Sequence, residues 1–263
     1  MKNTSIIFKK VPTHSPVAGE HLTVEDRPID LQNPPHENGL LVQNLYFSFD
    51  PYQRGRMREA HIESYSPAYV LNDPIKNSTI SKVLKSGQAK YQEGDLITVF
   101  MEGYCQQYSS LSGREVDDNV WKLDNPYDLD PINFLGPLGM TGLTAYSSFY
   151  EIGQPKKGET IFISAASGAV GSMVGQLAKR EGMTVIGSVG GDKKLRYILD
   201  SLKFDFGFDY KAEQPMEALK RLAPNGVDIY FDNVGGSHLE AALSALNVYG
   251  RIGMYTFLTS TQF

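Results

Sequence analysis

The apolar run Thr160-Ile161-Phe162-Ile163 passes through Ser164-Ala165-Ala166-Ser167-Gly168-Ala169-Val170-Gly171 into a helical pattern. Small residues at such a strand-to-helix turn let the main chain approach a diphosphate closely. The helix start then offers free N–H groups and partial positive charge to the anion. Gly168 and Gly171 carry the turn and the close helix packing, and Ala166 stands where the first glycine of G-x-G-x-x-G would be. A plain tight strand–helix connection would use the same small residues. The flanking strand and helix favour the dinucleotide reading.

A second stretch bears on which dinucleotide. The next strand, Thr184-Val185-Ile186-Gly187-Ser188-Val189, ends about twenty residues after the glycines, where an NAD enzyme places an acid for the ribose 2′-hydroxyl. Here it runs into Gly190-Gly191-Asp192-Lys193-Lys194. Glycines followed by lysines leave room and positive charge for a 2′-phosphate, so NADPH is expected over NADH. The competing reading makes Lys193 and Lys194 the solvated first turn of a helix with Asp192 as its N-cap.

These motifs sit in a chain of 263 residues with 41% apolar residues, enough for one large domain or two ordinary ones. Twenty-five basic against thirty acidic side chains give a net charge of −5, with no long run of either sign, so neither nucleic acid nor a membrane surface is an expected partner. Cys105 is the single cysteine, and the histidines, His14, His21, His36, His61 and His238, show no ligand spacing. Metal-free chemistry in a reducing compartment follows, and Ile6-Ile7-Phe8 is too short for a secretory leader, so a cytoplasmic location is expected.

Residues 1–130 hold short β-rich pieces such as 40–47 and 95–100 between Pro, Gly, Asn and Asp punctuation, which predicts a mostly β domain. From 131 to 263, strands at 160–165, 184–189, 206–210, 227–234 and 251–255 alternate with helices at 172–181, 193–202, 215–222 and 237–246. That alternation predicts an α/β fold, a parallel sheet wound with helices.

Four segments occur in order: Asp50-Pro51-Tyr52-Gln53-Arg54-Gly55-Arg56-Met57, Gly139-Met140-Thr141-Gly142-Leu143-Thr144-Ala145-Tyr146, the turn at 165–171, and Phe231-Asp232-Asn233-Val234-Gly235-Gly236. Together the chain resembles the zinc-independent medium-chain dehydrogenase/reductases, and among them the NADP-dependent alkenal double-bond and prostaglandin reductases. The resemblance implies a GroES-like β domain over 1–130, a Rossmann domain over 131–263 and a cleft between them. It also implies hydride transfer from NADPH to the carbon–carbon double bond of an α,β-unsaturated aldehyde or ketone, without zinc; a homodimer is an open expectation.

Residue roles follow from the same resemblance. Gly168, Ala169, Val170 and Gly171 match the pyrophosphate turn; Lys194 and Tyr210 match positions that hold the adenosine 2′-phosphate. Asn233 matches an asparagine beside the nicotinamide half, and Met140 and Thr144 line the domain junction near the cofactor. Read from the residues alone, Asn233 could equally form an Asx turn before Gly235-Gly236. Tyr52 matches a tyrosine facing the substrate pocket, where a neutral phenol can donate a hydrogen bond to an enolate. The catalytic loop of the subgroup carries a tyrosine where this chain has Thr261, a far weaker acid, so protonation by water or through the cofactor ribose is expected, with Tyr255 nearby as a compensating hydroxyl.

Members of the family continue well past the position matched by Phe263, so the resemblance implies a Rossmann sheet incomplete at its C-terminal end. A quinone reductase of the same superfamily, and an NADPH-binding protein without turnover, are the alternatives. A serine hydrolase built on Ser167, Asp232 and His238 has the chain order but lacks the flanking glycines of a nucleophile elbow.

Overall fold

The computed structural model describes residues 1–33 and 35–254. The chain divides into two compact units, one spanning Met1–Leu135 and the other starting at Gly136.

In the first unit, β1 (Thr4–Phe8) pairs antiparallel with β2 (Leu22–Asp26). Then follow β3 (Leu40–Phe47), α1 (Gln53–Arg56), β4 (Lys76–Ser86), β5 (Leu96–Tyr104), β6 (Tyr108–Leu111), α2 (Gly113–Asn119) and β7 (Val120–Lys122). The last five strands form an antiparallel sheet in the order β6-β3-β4-β5-β7. Leu40, Val42, Val83, Ile97, Val99 and Leu111 fill its core under Val116 of α2. That helix starts where the Ser112 side chain accepts from the Glu115 N–H and the Glu115 carboxylate accepts from the Ser112 N–H, a reciprocal cap.

The second unit opens with α3 (Met140–Ser147), which runs on into a wider turn, Ser148–Gly153. It continues through β8 (Thr160–Ile163), α4 (Ala169–Arg180), β9 (Thr184–Val189), α5 (Asp192–Arg196), β10 (Phe206–Asp209), α6 (Pro215–Leu222), β11 (Val227–Asp232), α7 (Gly236–Ala245) and β12 (Leu246–Met254). All five strands are parallel, in the order β10-β9-β8-β11-β12. The order reverses between β8 and β11, and in doubly wound sheets the crevice at the carboxyl ends of such a pair takes the ligand.

Both faces of this sheet are covered. Ile161, Ile163, Val185, Val189, Ile229 and Phe231 pack on Val174 and Ala178 of α4, whereas Phe162, Ile186, Phe208 and Tyr230 pack with α6 and α7 through Ala218, Leu219, Ala241 and Ala242. Burial on both faces is why these strands read as unbroken apolar runs. The helix expected at 172–181 starts three residues earlier, because Gly168 itself is the N-cap and no spacer separates turn from helix. Among the described residues no helix is long and apolar enough to cross a membrane.

Candidate functional site

The turn after β8 is tied down from both neighbouring strands. The Ser164 N–H donates to the Phe231 carbonyl at 3.2 Å and the Ala166 N–H to the Ser188 carbonyl at 2.9 Å. Within it Ala165 adopts φ +48°, an uncommon conformation for a residue with a side chain, and the Gly168 N–H donates back to the Ala165 carbonyl at 2.9 Å. A Cβ on Gly171 would stand 2.6 Å from that same Ala165 oxygen, so only glycine lets α4 approach the turn this closely. No side chain caps α4, and the N–H groups of Ala169, Val170 and Gly171 lie in its first turn, where no preceding helical carbonyl serves them. Gly168 thus shapes the turn as N-cap, its own N–H spent on Ala165, and the amides of Ala169, Val170 and Gly171 form a cradle of donors with the chemistry a diphosphate requires.

Beside it, at the end of β11, the Asp232 Oδ1 accepts from the Tyr230 hydroxyl at 2.7 Å, the Val234 N–H at 2.9 Å and the Gly235 N–H at 2.7 Å. Asp232, not Asn233, therefore makes the Asx turn before Gly235 and Gly236, whose φ values of +78° and +55° suit glycine. Asn233 is released from that duty. Its N–H donates to the Ser164 hydroxyl and its side-chain amide to the Ser164 carbonyl, both at 2.8 Å, which joins the ends of β8 and β11 at the switch point. Sequence reasoning missed Ser164 and Tyr230, and it weighed Asp232 only as a hydrolase triad member, not as the acceptor that shapes this turn. The available signal was a polar residue closing each of two apolar strands.

The 2′-phosphate expectation concerns the ends of β9 and β10. Gly191, with φ +131°, is the N-cap of α5, and Asp192 is the first helical residue, so the Asp192 cap of the competing reading does not form. The Asp192 carboxylate instead pairs with Arg196 one turn on, at 2.6 Å. Lys194 is exposed and has no ion-pair partner among the described residues. Tyr210 follows β10 directly and lies across Gly190, where a Cβ would come within 2.7 Å of its hydroxyl oxygen.

His238, in the first turn of α7, is buried against Phe162, with ring planes 12° apart. It makes no serine relay: its Nε2 has no hydrogen-bond partner among the described residues. Burial lowers its pKa below the ordinary 6.5, with the nearby Asp232 charge opposing. The folded chain thus prefers neutral imidazole, and the unfolded chain binds more protons below that value. Stability is expected to be undiminished above pH 6.5 and to decline as the pH falls from there towards the lower folded value. Urea midpoints at stepped pH check this, and His238→Phe should flatten that part of the profile.

Residues 5–118 match the family described as the N-terminal domain of oxidoreductase, and residues 169–262 match the family described as zinc-binding dehydrogenase. The chain is 55% identical over 251 residues to the NADP-dependent oxidoreductase RED1 of Cochliobolus heterostrophus, covering 95% of this chain and 70% of that protein. The chain belongs to the medium-chain dehydrogenase/reductase superfamily. It is also 41% identical to the NADP(+)-dependent 2-alkenal reductase of Nicotiana tabacum, over 97% of this chain and 72% of that one. The crystal structure of CurA in complex with NADPH from Vibrio vulnificus superposes with a TM-score of 0.84 at 33% identity, covering 97% of this chain and 72% of CurA.

In this dehydrogenase/reductase, Met140 opens α3 and accepts at its carbonyl from the Thr144 hydroxyl at 2.8 Å. Within the first unit, Tyr52 donates its hydroxyl to the Asn77 Oδ1 at 2.7 Å, and Asn77 in turn donates to the Asp50 carboxylate at 2.7 Å. Burial pushes the Tyr52 phenol up to about 12. Tyr255 and Thr261 lie outside the described residues. Among the described residues no group of three or more His, Cys, Asp or Glu could hold a metal ion.

Proposed function

We propose that the chain binds NADPH and reduces the carbon–carbon double bond of α,β-unsaturated aldehydes and ketones. The observation that supports this most directly is the uncapped α4 turn, together with Lys194, which pairs with no described residue, and Tyr210 over Gly190. The Ala169, Val170 and Gly171 amides would hold the diphosphate, Lys194 and the Tyr210 hydroxyl the 2′-phosphate, and Asn233 the nicotinamide half. Asn233 commits one of its two amide hydrogens to the Ser164 carbonyl, which fixes the side chain and leaves its Oδ1 and the second amide hydrogen to meet the ligand. NADPH, when bound, supplies the hydride.

Tyr52 is assigned a hydrogen bond to the carbonyl oxygen as negative charge grows there, for which its one hydroxyl hydrogen turns from Asn77 Oδ1 to the substrate. A phenol pushed up to about 12 stays protonated and can donate a hydrogen bond, but it surrenders its proton reluctantly. The proton that completes reduction at the α-carbon is therefore assigned to another source, solvent water first, with Tyr255 and the weaker hydroxyl of Thr261 as the side-chain candidates named by sequence. Cys105, the single cysteine, is buried with its thiol pushed up to about 12, which makes it a poor nucleophile towards electrophilic alkenes.

The test is NADPH consumption by the chain against a panel of alkenals, enones and quinones. Steady consumption with alkenals and enones is expected. Consumption with quinones alone would favour the quinone-reductase reading, and tight binding without turnover on any compound would favour a non-catalytic binding protein. Lys194→Ala is expected to weaken NADPH binding by about 1–3 kcal/mol, the range for a charged hydrogen-bond partner, while leaving NADH binding unchanged. Titration of both nucleotides checks it, and equal losses would remove Lys194 from the phosphate site.

A further inference from the structure

Tyr210 is 40% exposed, and its hydroxyl has no hydrogen-bond partner among the described residues. A half-exposed tyrosine held by nothing would sample several rotamers. Two neighbours restrict this one. Its hydroxyl end crosses Gly190 so closely that a Cβ there would approach the oxygen to 2.7 Å. From the other side the His238 ring meets it edge to face, with centroids 5.3 Å apart and planes at 77°.

His238 is itself fixed by packing. It is 4% exposed and lies parallel to Phe162 at 6.4 Å, and Phe162 stacks in turn on Tyr230 at 5.0 Å and Phe208 at 6.0 Å. Its Nε2 bonds to no described residue, so the ring is held by its aromatic packing rather than by a hydrogen bond at that nitrogen. A continuous aromatic column thus runs from the buried sheet to the one tyrosine at the end of β10.

Resting on the nucleotide reading above, we propose that His238 is a positioning residue for phosphate discrimination. Its ring, wedged between Phe162 and Tyr210, keeps the Tyr210 hydroxyl over Gly190, where a 2′-phosphorylated adenosine needs a donor. Ordering that side chain before the ligand arrives removes a cost that NADPH would otherwise meet on binding. NADH has no 2′-phosphate to use the hydroxyl and gains nothing from the ordering.

The test is a cycle of His238→Ala, Tyr210→Phe and the double variant, with Kd measured for NADPH and for NADH. His238→Ala should raise the NADPH Kd about three- to tenfold, the scale of one aromatic contact plus one immobilised side chain, and leave the NADH Kd within about twofold. Tyr210→Phe should do likewise, and the double variant should lose little more than either alone. His238→Phe, which keeps a flat ring in the wedge, should restore discrimination. Where the alanine variant does not fold, His238→Leu fills the space without a ring and is expected to show the same selective loss. Parallel losses for NADPH and NADH, or strictly additive losses in the double variant, would overturn the role of His238. A wild-type chain that binds NADPH no better than NADH would overturn the nucleotide reading itself, and the inference with it.

Discussion

Gly171→Val is expected to weaken NADPH binding by about a hundredfold or more, and NADH binding by the same factor. A Cβ at this position meets the Ala165 carbonyl oxygen at 2.6 Å and the Ala166 Cα at 3.0 Å. Both are main-chain atoms, and Ala166 is anchored to β9 through the Ser188 carbonyl, so α4 must move away from the turn instead. The amides of Ala169 and Val170 then leave their aim. Each hydrogen bond to an ionised group contributes about 1.5–3 kcal/mol, so losing two accounts for the hundredfold change. Overpacking should also lower stability by about 1–3 kcal/mol, which separates the variant's two effects by comparing its melting with its titration. Gly168→Ala is the graded control: its Cβ would sit 3.1 Å from the Ala165 oxygen, and a smaller loss is expected. The equal effect on both nucleotides contrasts with Lys194→Ala, because the turn grips the diphosphate that both share. Undiminished binding by Gly171→Val would remove the turn from the site.

Asp232→Ala is expected to destabilise the chain by about 3 kcal/mol. One buried carboxylate oxygen gathers the Tyr230 hydroxyl and the N–H groups of Val234 and Gly235, and stripping the acceptor from a buried donor costs about 1–3 kcal/mol each. Part of that is offset, because the departing carboxylate has an Oδ2 that meets no described partner. Asp232→Asn keeps a carbonyl oxygen and should recover much of the loss. Because the Asp232 turn carries Asn233, nucleotide affinity should fall in the alanine variant even where it remains folded. Urea unfolding of the two variants reads the effect, and an Asp232→Ala midpoint equal to wild type would contradict the role assigned to Oδ1.

Much of this architecture was legible because a parallel sheet covered on both faces leaves apolar runs in the chain. β9 at Thr184–Val189 and α6 at Pro215–Leu222 fall where the spacing predicts them, and β3 does so in the first unit. Helix starts were less legible. Nothing in the spacing separates Gly191 from Asp192 as N-cap, since both residues favour that position, and the +131° φ at Gly191 decides it. Adjacent Asp232 and Asn233 posed the same difficulty at the end of β11. Either side chain can close an Asx turn, and only the Val234 and Gly235 N–H groups converging on Asp232 show which one does. The stack of His238 on Phe162 joins residues 76 positions apart by number, a contact that no local pattern announces.

Titration calorimetry of the chain with NADPH and with NADH tests the central claim most directly. The expected result is saturable binding of both, tighter for NADPH, with both affinities lowered by the same large factor in Gly171→Val and only the NADPH advantage lost in Lys194→Ala. Absence of binding by either nucleotide at millimolar concentration to the folded wild-type chain would contradict it.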